Sequence, residues 1–153
     1  MHETDIAADF LKHAPPFDRL DEDTLHRAAS GIEAAYYRAG QTVLDSTLNP
    51  GLAVLRKGAV RLLDAEHRFL DKRSEGECFG HAAWFRGRQL PYRAEAEEDS
   101  LVWHLPPERF EELKRRSAEF AAWFDQEPAQ RLNVASARER PSRRVADLLR
   151  RAP

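Results

Sequence analysis

The sequence predicts a mainly β domain, a barrel, jelly roll or β-sandwich, with helices at both ends. Three observations carry this. Between Ile32 and Leu105 the apolar residues recur with a period of two, in short segments. Those segments are punctuated by Gly40, Gly58 and Gly76 and by Asp and Asn turns, the pattern of short strands joined by tight connections. On either side the apolar spacing lengthens to three and four, and Gly31 and the pair Pro106-Pro107 mark the changes.

The elements follow in order. Thr4 to Lys12 predicts a short helix whose apolar stripe is Ile6, Ala7, Phe10 and Leu11, ended by Pro15-Pro16. Phe17 and Leu20 then anchor a turn to the core. Asp21 caps a second helix through Leu25 to Ala29, which Gly31 stops. From Ile32 the spacing predicts a strand with Ile32, Ala34 and Tyr36 on one face. Further strands are predicted at Thr42 to Leu44, Leu52 to Arg56, Ala59 to Leu63, Phe69 to Lys72 and Leu101 to Leu105. Pro106-Pro107-Glu108 opens a helix to about Ser117, with Phe110 and Leu113 inward. Ala118 to Arg138 is helical by composition. It is interrupted at Pro128 and carries Phe120, Trp123, Phe124, Leu132 and Ala135 near helical spacing.

Bulk properties bound the function. A chain of 153 residues suits one domain. A domain of that size buries roughly 68–70% of its unfolded surface and needs no disulfide. Cys78 is the single cysteine, which fits a reducing compartment. No apolar run reaches the roughly 18 residues of a membrane-spanning helix, and the acidic start Met1-His2-Glu3-Thr4-Asp5 does not read as a signal peptide. The expected location is therefore cytoplasmic, with no membrane partner. Net charge is −2, against a nucleic-acid-binding face. Arginines concentrate at 138, 140, 143, 144, 150 and 151, which reads as a solvated basic linker.

The stretch of most chemical interest is Gly76 to Ala96. It reads Gly76-Glu77-Cys78-Phe79-Gly80-His81-Ala82-Ala83-Trp84-Phe85, then a polar loop with Arg86 and Arg88, then Pro91-Tyr92-Arg93-Ala94-Glu95-Ala96. This predicts a strand, a tight turn and a helix N-terminus with cations nearby. Unpaired N–H groups there favour an anion, and a glycine at position 80 permits close backbone approach. The candidate pocket comprises Phe79, Gly80, His81, Ala82, Ala83, Arg88, Pro91, Tyr92, Arg93 and Ala94.

On those residues the stretch resembles the phosphate-binding cassette of the cyclic nucleotide-binding domains, the sensor fold of the catabolite activator protein and of kinase regulatory subunits. Phe79, Gly80, Ala83, Pro91 and Ala94 match its Phe-Gly-Glu, apolar turn and Pro-Arg pattern. The likeness spans roughly Phe10 to Phe124, and the Pro-Phe-x-x-Leu entry at Pro16 to Leu20 belongs to it. It implies a cyclic nucleotide-binding-type β-barrel and a regulatory, non-catalytic sensor. Two ligand-reading positions depart from the family. His81 stands where the family has the glutamate that holds the ribose hydroxyl, and Tyr92 where it has the arginine that pairs with the cyclic phosphate. Asp45 to Gly51 also departs, lacking the family's usual glycine at about Ser46.

The departures predict weak or absent binding of cyclic AMP and cyclic GMP. A phenol is one neutral donor, without the fixed bidentate fork of a guanidinium. His81 offers either a hydrogen bond to a sugar or, protonated, a charge near a phosphate; the alternative is a satisfied polar group in a degenerate pocket. Arg93, one place along a strand from Tyr92, should face the other way, which leaves Arg88 as the better compensating cation. No resident cofactor is expected; a cyclic nucleotide or other small anion is the candidate ligand.

Cys78-x-x-His81 is half a metal site with no second cluster in sequence, and Cys78 reads as a small core residue. A cupin-like metal-dependent barrel enzyme would need converging histidines that the spacing of His67 and His104 does not suggest. Glu95, Glu97, Glu98 and Asp99 read as a solvated turn. No hydrolase, Walker or zinc-protease motif is present. The alternative to a sensor is a ligand-free protein-interaction or dimerisation module. Trp123, Phe124, Leu132 and Ala135 are the candidate seam of a homodimer through Ala118 to Arg138, against packing on the chain's own barrel.

The last residues, Arg144 to Pro153, resemble the entry of a CBS (cystathionine-β-synthase-type) domain. That resemblance implies a division into a domain at 1–138 and a basic linker at 139–153 leading to a downstream domain. The arrangement is similar to bacterial proteins that join such a sensor to a CBS pair and a nucleotidyltransferase-like domain.

Overall fold

The computed structural model describes residues 3–45, 51–80 and 92–124. Among the described residues, eight antiparallel strands form two four-stranded sheets. The strands are β1 (Glu33–Tyr37), β2 (Thr42–Leu44), β3 (Leu52–Lys57), β4 (Val60–Leu63), β5 (Phe69–Arg73), β6 (Cys78–Phe79), β7 (Arg93–Ala96) and β8 (Ser100–Leu105). Their order is β1-β8-β3-β6 in the first sheet and β2-β7-β4-β5 in the second. This is the β-roll with flanking helices that the sequence predicts.

Two apolar cores follow from strand alternation. Ala53, Leu55, Phe79 and Val102 of the first sheet meet Val43, Leu44, Val60, Leu62, Tyr92, Ala94 and Ala96 of the second, filling the barrel interior. The alternate residues Leu52, Val54, Cys78, Trp103 and Leu105 face outward and bury against the helices. Strands β3, β6 and β8 thus serve both cores, as period-two geometry requires.

The helices are placed by caps and apolar anchors. Helix α1 (Glu3–Leu11) buries Ala7 and Leu11. A 3₁₀ turn (Phe17–Arg19) buries Phe17. Asp21 caps α2 (Glu22–Ser30) by accepting a 2.7 Å bond from the Thr24 amide. That bond holds the Asp21 carboxyl below its ordinary pKa. Pro107 opens α3 (Pro107–Arg116), which ends at Ser117; a further helical segment covers 118–124. Phe110, Leu113, Phe120 and Phe124 are all fully buried. Helix α3 lies along α2 through three side chains. Arg109 bonds the Arg27 carbonyl and Ser30 Oγ, Glu112 pairs with Arg27, and Arg116 bonds Asp23 and Thr24 Oγ1.

Two sequence expectations are corrected. Ile6 is 49% exposed, because the helix turns Ala7 and Leu11 to the core instead. In β1 the parity is reversed: Ala35 and Tyr37 are the half-buried residues and Tyr36 is 82% exposed. β1 is an edge strand pairing with β8, and its Glu-Ala-Ala-Tyr-Tyr sequence has apolar residues at both parities. The register with β8 decides what alternation alone did not.

Candidate functional site

The cassette begins where β6 delivers Phe79 to the barrel interior and Cys78 to the helix side. Cys78 is buried and its thiol lies 3.8 Å from the Pro15 carbonyl. Gly80 follows with φ +92°, a left-handed conformation that favours glycine. A Cβ there would fall 2.7 Å from the Gly51 carbonyl oxygen and 2.8 Å from Leu44 Cδ1. The glycine is thus required by the backbone packed against it, whatever the ligand.

Tyr92 sits just ahead of β7 with its side chain buried in the interior cluster. The Gly80 amide donates a buried 2.6 Å bond to the Tyr92 hydroxyl, joining the two ends of the cassette. Ala94 lies on the same face and is fully buried. Arg93 faces the other way. Its guanidinium bonds Thr42 Oγ1 at 2.7 Å, contacts His67 Nε2 at 3.2 Å and pairs with Glu95 at 3.4 Å. Glu95 in turn pairs with Arg61. Of the predicted site residues, the structure therefore brings Phe79, Gly80, Tyr92 and Ala94 together at the interior and sets Arg93 on the outer face of the second sheet. His81, Ala82, Ala83, Arg88 and Pro91 lie outside the described residues.

One residue escaped the sequence reading. Arg73, at the end of β5, is almost wholly buried. Its Nε donates to the Cys78 carbonyl at 3.0 Å, and its Nη1 to Asp71 at 2.8 Å and to the Lys72 carbonyl at 3.1 Å. It fixes the strand that carries Phe79 and Gly80. An arginine beside a turn reads as a surface residue in sequence, and nothing in the local pattern marks it as buried.

A second polar feature lies on the first sheet. Phe79 pairs with Ala53, Ala53 with His104, and His104 with Glu33, so all four occupy one row across the sheet. The His104 Nε2 shares a 2.8 Å hydrogen bond with the Tyr37 hydroxyl. Burial pushes the imidazole down to about pKa 4, so it is neutral at physiological pH. A half-open cleft of about 400 Å³ opens here, between Glu33, Tyr37, His104, Pro106 and Glu108. Among the described residues no three His, Cys, Asp or Glu side chains converge as a metal site. No described helix is long and apolar enough to cross a membrane.

The comparisons with known proteins meet this geometry. The family model for the cyclic nucleotide-binding domain matches residues 35–117, more than half of the chain. The chain belongs to the cyclic nucleotide-binding domain family. Domains of this family are regulatory sensors rather than catalysts. No curated protein matches the sequence.

Solved structures share the fold at low identity. The regulatory domain of Toxoplasma gondii PKA with cAMP aligns at TM-score 0.75 and 14% identity, over 83% of this chain and 50% of that one. The regulatory subunit of a cAMP-independent protein kinase A from Trypanosoma brucei aligns at 0.72 and 15%, over 82% and 47%. The sensor domain of the transcriptional regulator DNR from Pseudomonas aeruginosa aligns at 0.74 and 16%, over 93% of this chain and 99% of that one. The chain spans about half the length of the kinase regulatory structures it matches.

Proposed function

We propose that this cyclic nucleotide-binding family domain is a regulatory module that does not take cyclic AMP or cyclic GMP in the family's manner. The supporting observation is the direction of two neighbouring side chains. Tyr92, at the position of the cassette's phosphate-pairing arginine, projects into the interior, while Arg93 is engaged outside with Thr42, His67 and Glu95. A buried phosphate needs a charge and two aligned donors, and a phenol supplies neither. Replacing the family glutamate by His81 removes the matching hold on the ribose.

On this reading the output passes through the chain after α3. Phe124 is spent within its own core, against Phe110 and Phe120. Trp123 is only partly buried, which keeps a homodimer through 118–138 as part of the proposal. A reducing, cytoplasmic setting suits the single buried thiol. Attachment to a downstream CBS-type domain remains an element of the same proposal. The test is mass spectrometry of small molecules released from the purified domain. Neither cyclic nucleotide should be recovered; stoichiometric cyclic AMP or cyclic GMP would overturn the reading.

A further inference from the structure

We propose that Tyr92 fills the barrel interior from within the chain, its hydroxyl taking the Gly80 amide and so denying that donor to a ligand. This rests on the reading above that the domain works without a cyclic nucleotide. Three features carry it. The Gly80 amide cannot easily turn away, because its left-handed φ and its packing on the Gly51 carbonyl and Leu44 fix the local backbone. The donor is buried and is satisfied from within the chain, twelve residues away, at 2.6 Å. The phenol ring belongs to the interior cluster, whose members Ala53, Ala94 and Ala96 contribute little volume of their own.

A ligand seeking that amide must break a buried hydrogen bond and expel an aromatic ring from an apolar core. The cost falls on the ligand before any contact is gained. The same bond ties the end of β6 to the start of β7, the two ends of the cassette. The cassette ends therefore hold one arrangement from the protein's own side chain. In this account Tyr92 excludes the nucleotide by occupancy as well as by lacking charge.

The experiment is amide hydrogen exchange at Gly80 by NMR in nucleotide-free protein, for wild type, Tyr92→Phe and Tyr92→Ala. It is paired with titration of cyclic AMP and of inorganic phosphate. The wild-type Gly80 amide should be protected like the amides of β3 and β8. Tyr92→Phe keeps the ring and loses the acceptor, so exchange should quicken by about tenfold while cyclic AMP still fails to bind. Tyr92→Ala removes the ring and frees the Gly80 amide, and should bind cyclic AMP or phosphate at least about tenfold tighter than wild type. An unprotected Gly80 amide in wild type, or unchanged exchange in Tyr92→Phe, overturns the proposal. So does a folded Tyr92→Ala that gains nothing for either probe. If Tyr92→Ala does not fold, the wild-type and Tyr92→Phe exchange rates still decide. Micromolar cyclic AMP binding by wild type would instead sink the functional reading, whereas fast Gly80 exchange in a non-binding wild type sinks only this inference.

Discussion

Arg73→Met should destabilise the domain by about 3 kcal/mol and loosen the cassette. The Arg73 side chain is 4% exposed and bonds the Cys78 carbonyl, the Asp71 carboxylate and the Lys72 carbonyl. Methionine keeps much of the aliphatic stem but no donor. Hydrogen bonds to charged groups contribute roughly 1.5–3 kcal/mol each, and removing one partner of a buried pair costs about 3–5 kcal/mol. Asp71 is 31% exposed and can rehydrate, which places the loss at the lower end. With a urea m-value of roughly 1.5–2 kcal/mol per molar for a domain of this size, the unfolding midpoint should fall by about 1.5–2 M. Arg73→Lys keeps the charge without the planar fork and should lie between the two. A loss below about 1 kcal/mol, with an unchanged m-value, would refute the claim that this guanidinium anchors β6.

His104 has a folded pKa of about 4 against an ordinary 6.5, so the unfolded chain binds the proton more readily. Its contribution is complete above pH 6.5 and lost as pH falls towards 4, a change of about 2–3 kcal/mol that urea titrations between those limits should show and His104→Gln should flatten. Gly80→Ala adds a left-handed strain to a 2.7 Å approach on the Gly51 carbonyl, and a loss of about 2–4 kcal/mol in chemical denaturation is expected. Asp21→Ala removes the α2 cap and should lower the melting temperature by roughly 2–4 °C. If the homodimer proposal holds, replacing Trp123 and Leu132 with polar residues should give a folded monomer by ultracentrifugation; a monomeric wild type at high concentration would end it.

Much of the fold was legible because strands and caps announce themselves locally. Leu52 to Arg56 and Leu101 to Leu105 alternate over a buried sheet, and Asp21 stands where its carboxylate reaches the Thr24 amide. Phe110 and Leu113 share one face of α3 by spacing alone. What failed to show was set by partners distant in sequence. The parity of β1 depends on its register with β8, 67 residues away at the Tyr37–His104 contact. Phe124, weighed as part of a seam, completes an aromatic cluster with Phe110 and Phe120 inside its own chain. In the candidate site, period-two reasoning separated Tyr92 from Arg93 correctly. The bond from Gly80 to the Tyr92 hydroxyl was invisible, because it joins residues twelve apart whose approach the sequence does not specify. Arg73 was invisible for a related reason: its acceptors are two carbonyls and a carboxylate brought together by the β5 to β6 turn.

If the proposed function holds, the family fold is kept while its cyclic nucleotide chemistry is lost. Calorimetry with cyclic AMP and cyclic GMP, on wild type and on the His81→Glu/Tyr92→Arg double variant, tests it most directly. Without an ion pair on the phosphate, several kcal/mol of binding are missing, and the wild type should show a Kd of about 100 μM or weaker for both nucleotides. The double variant restores a carboxylate for the ribose and a guanidinium for the phosphate, and should gain affinity. Micromolar binding by the wild type would contradict the account.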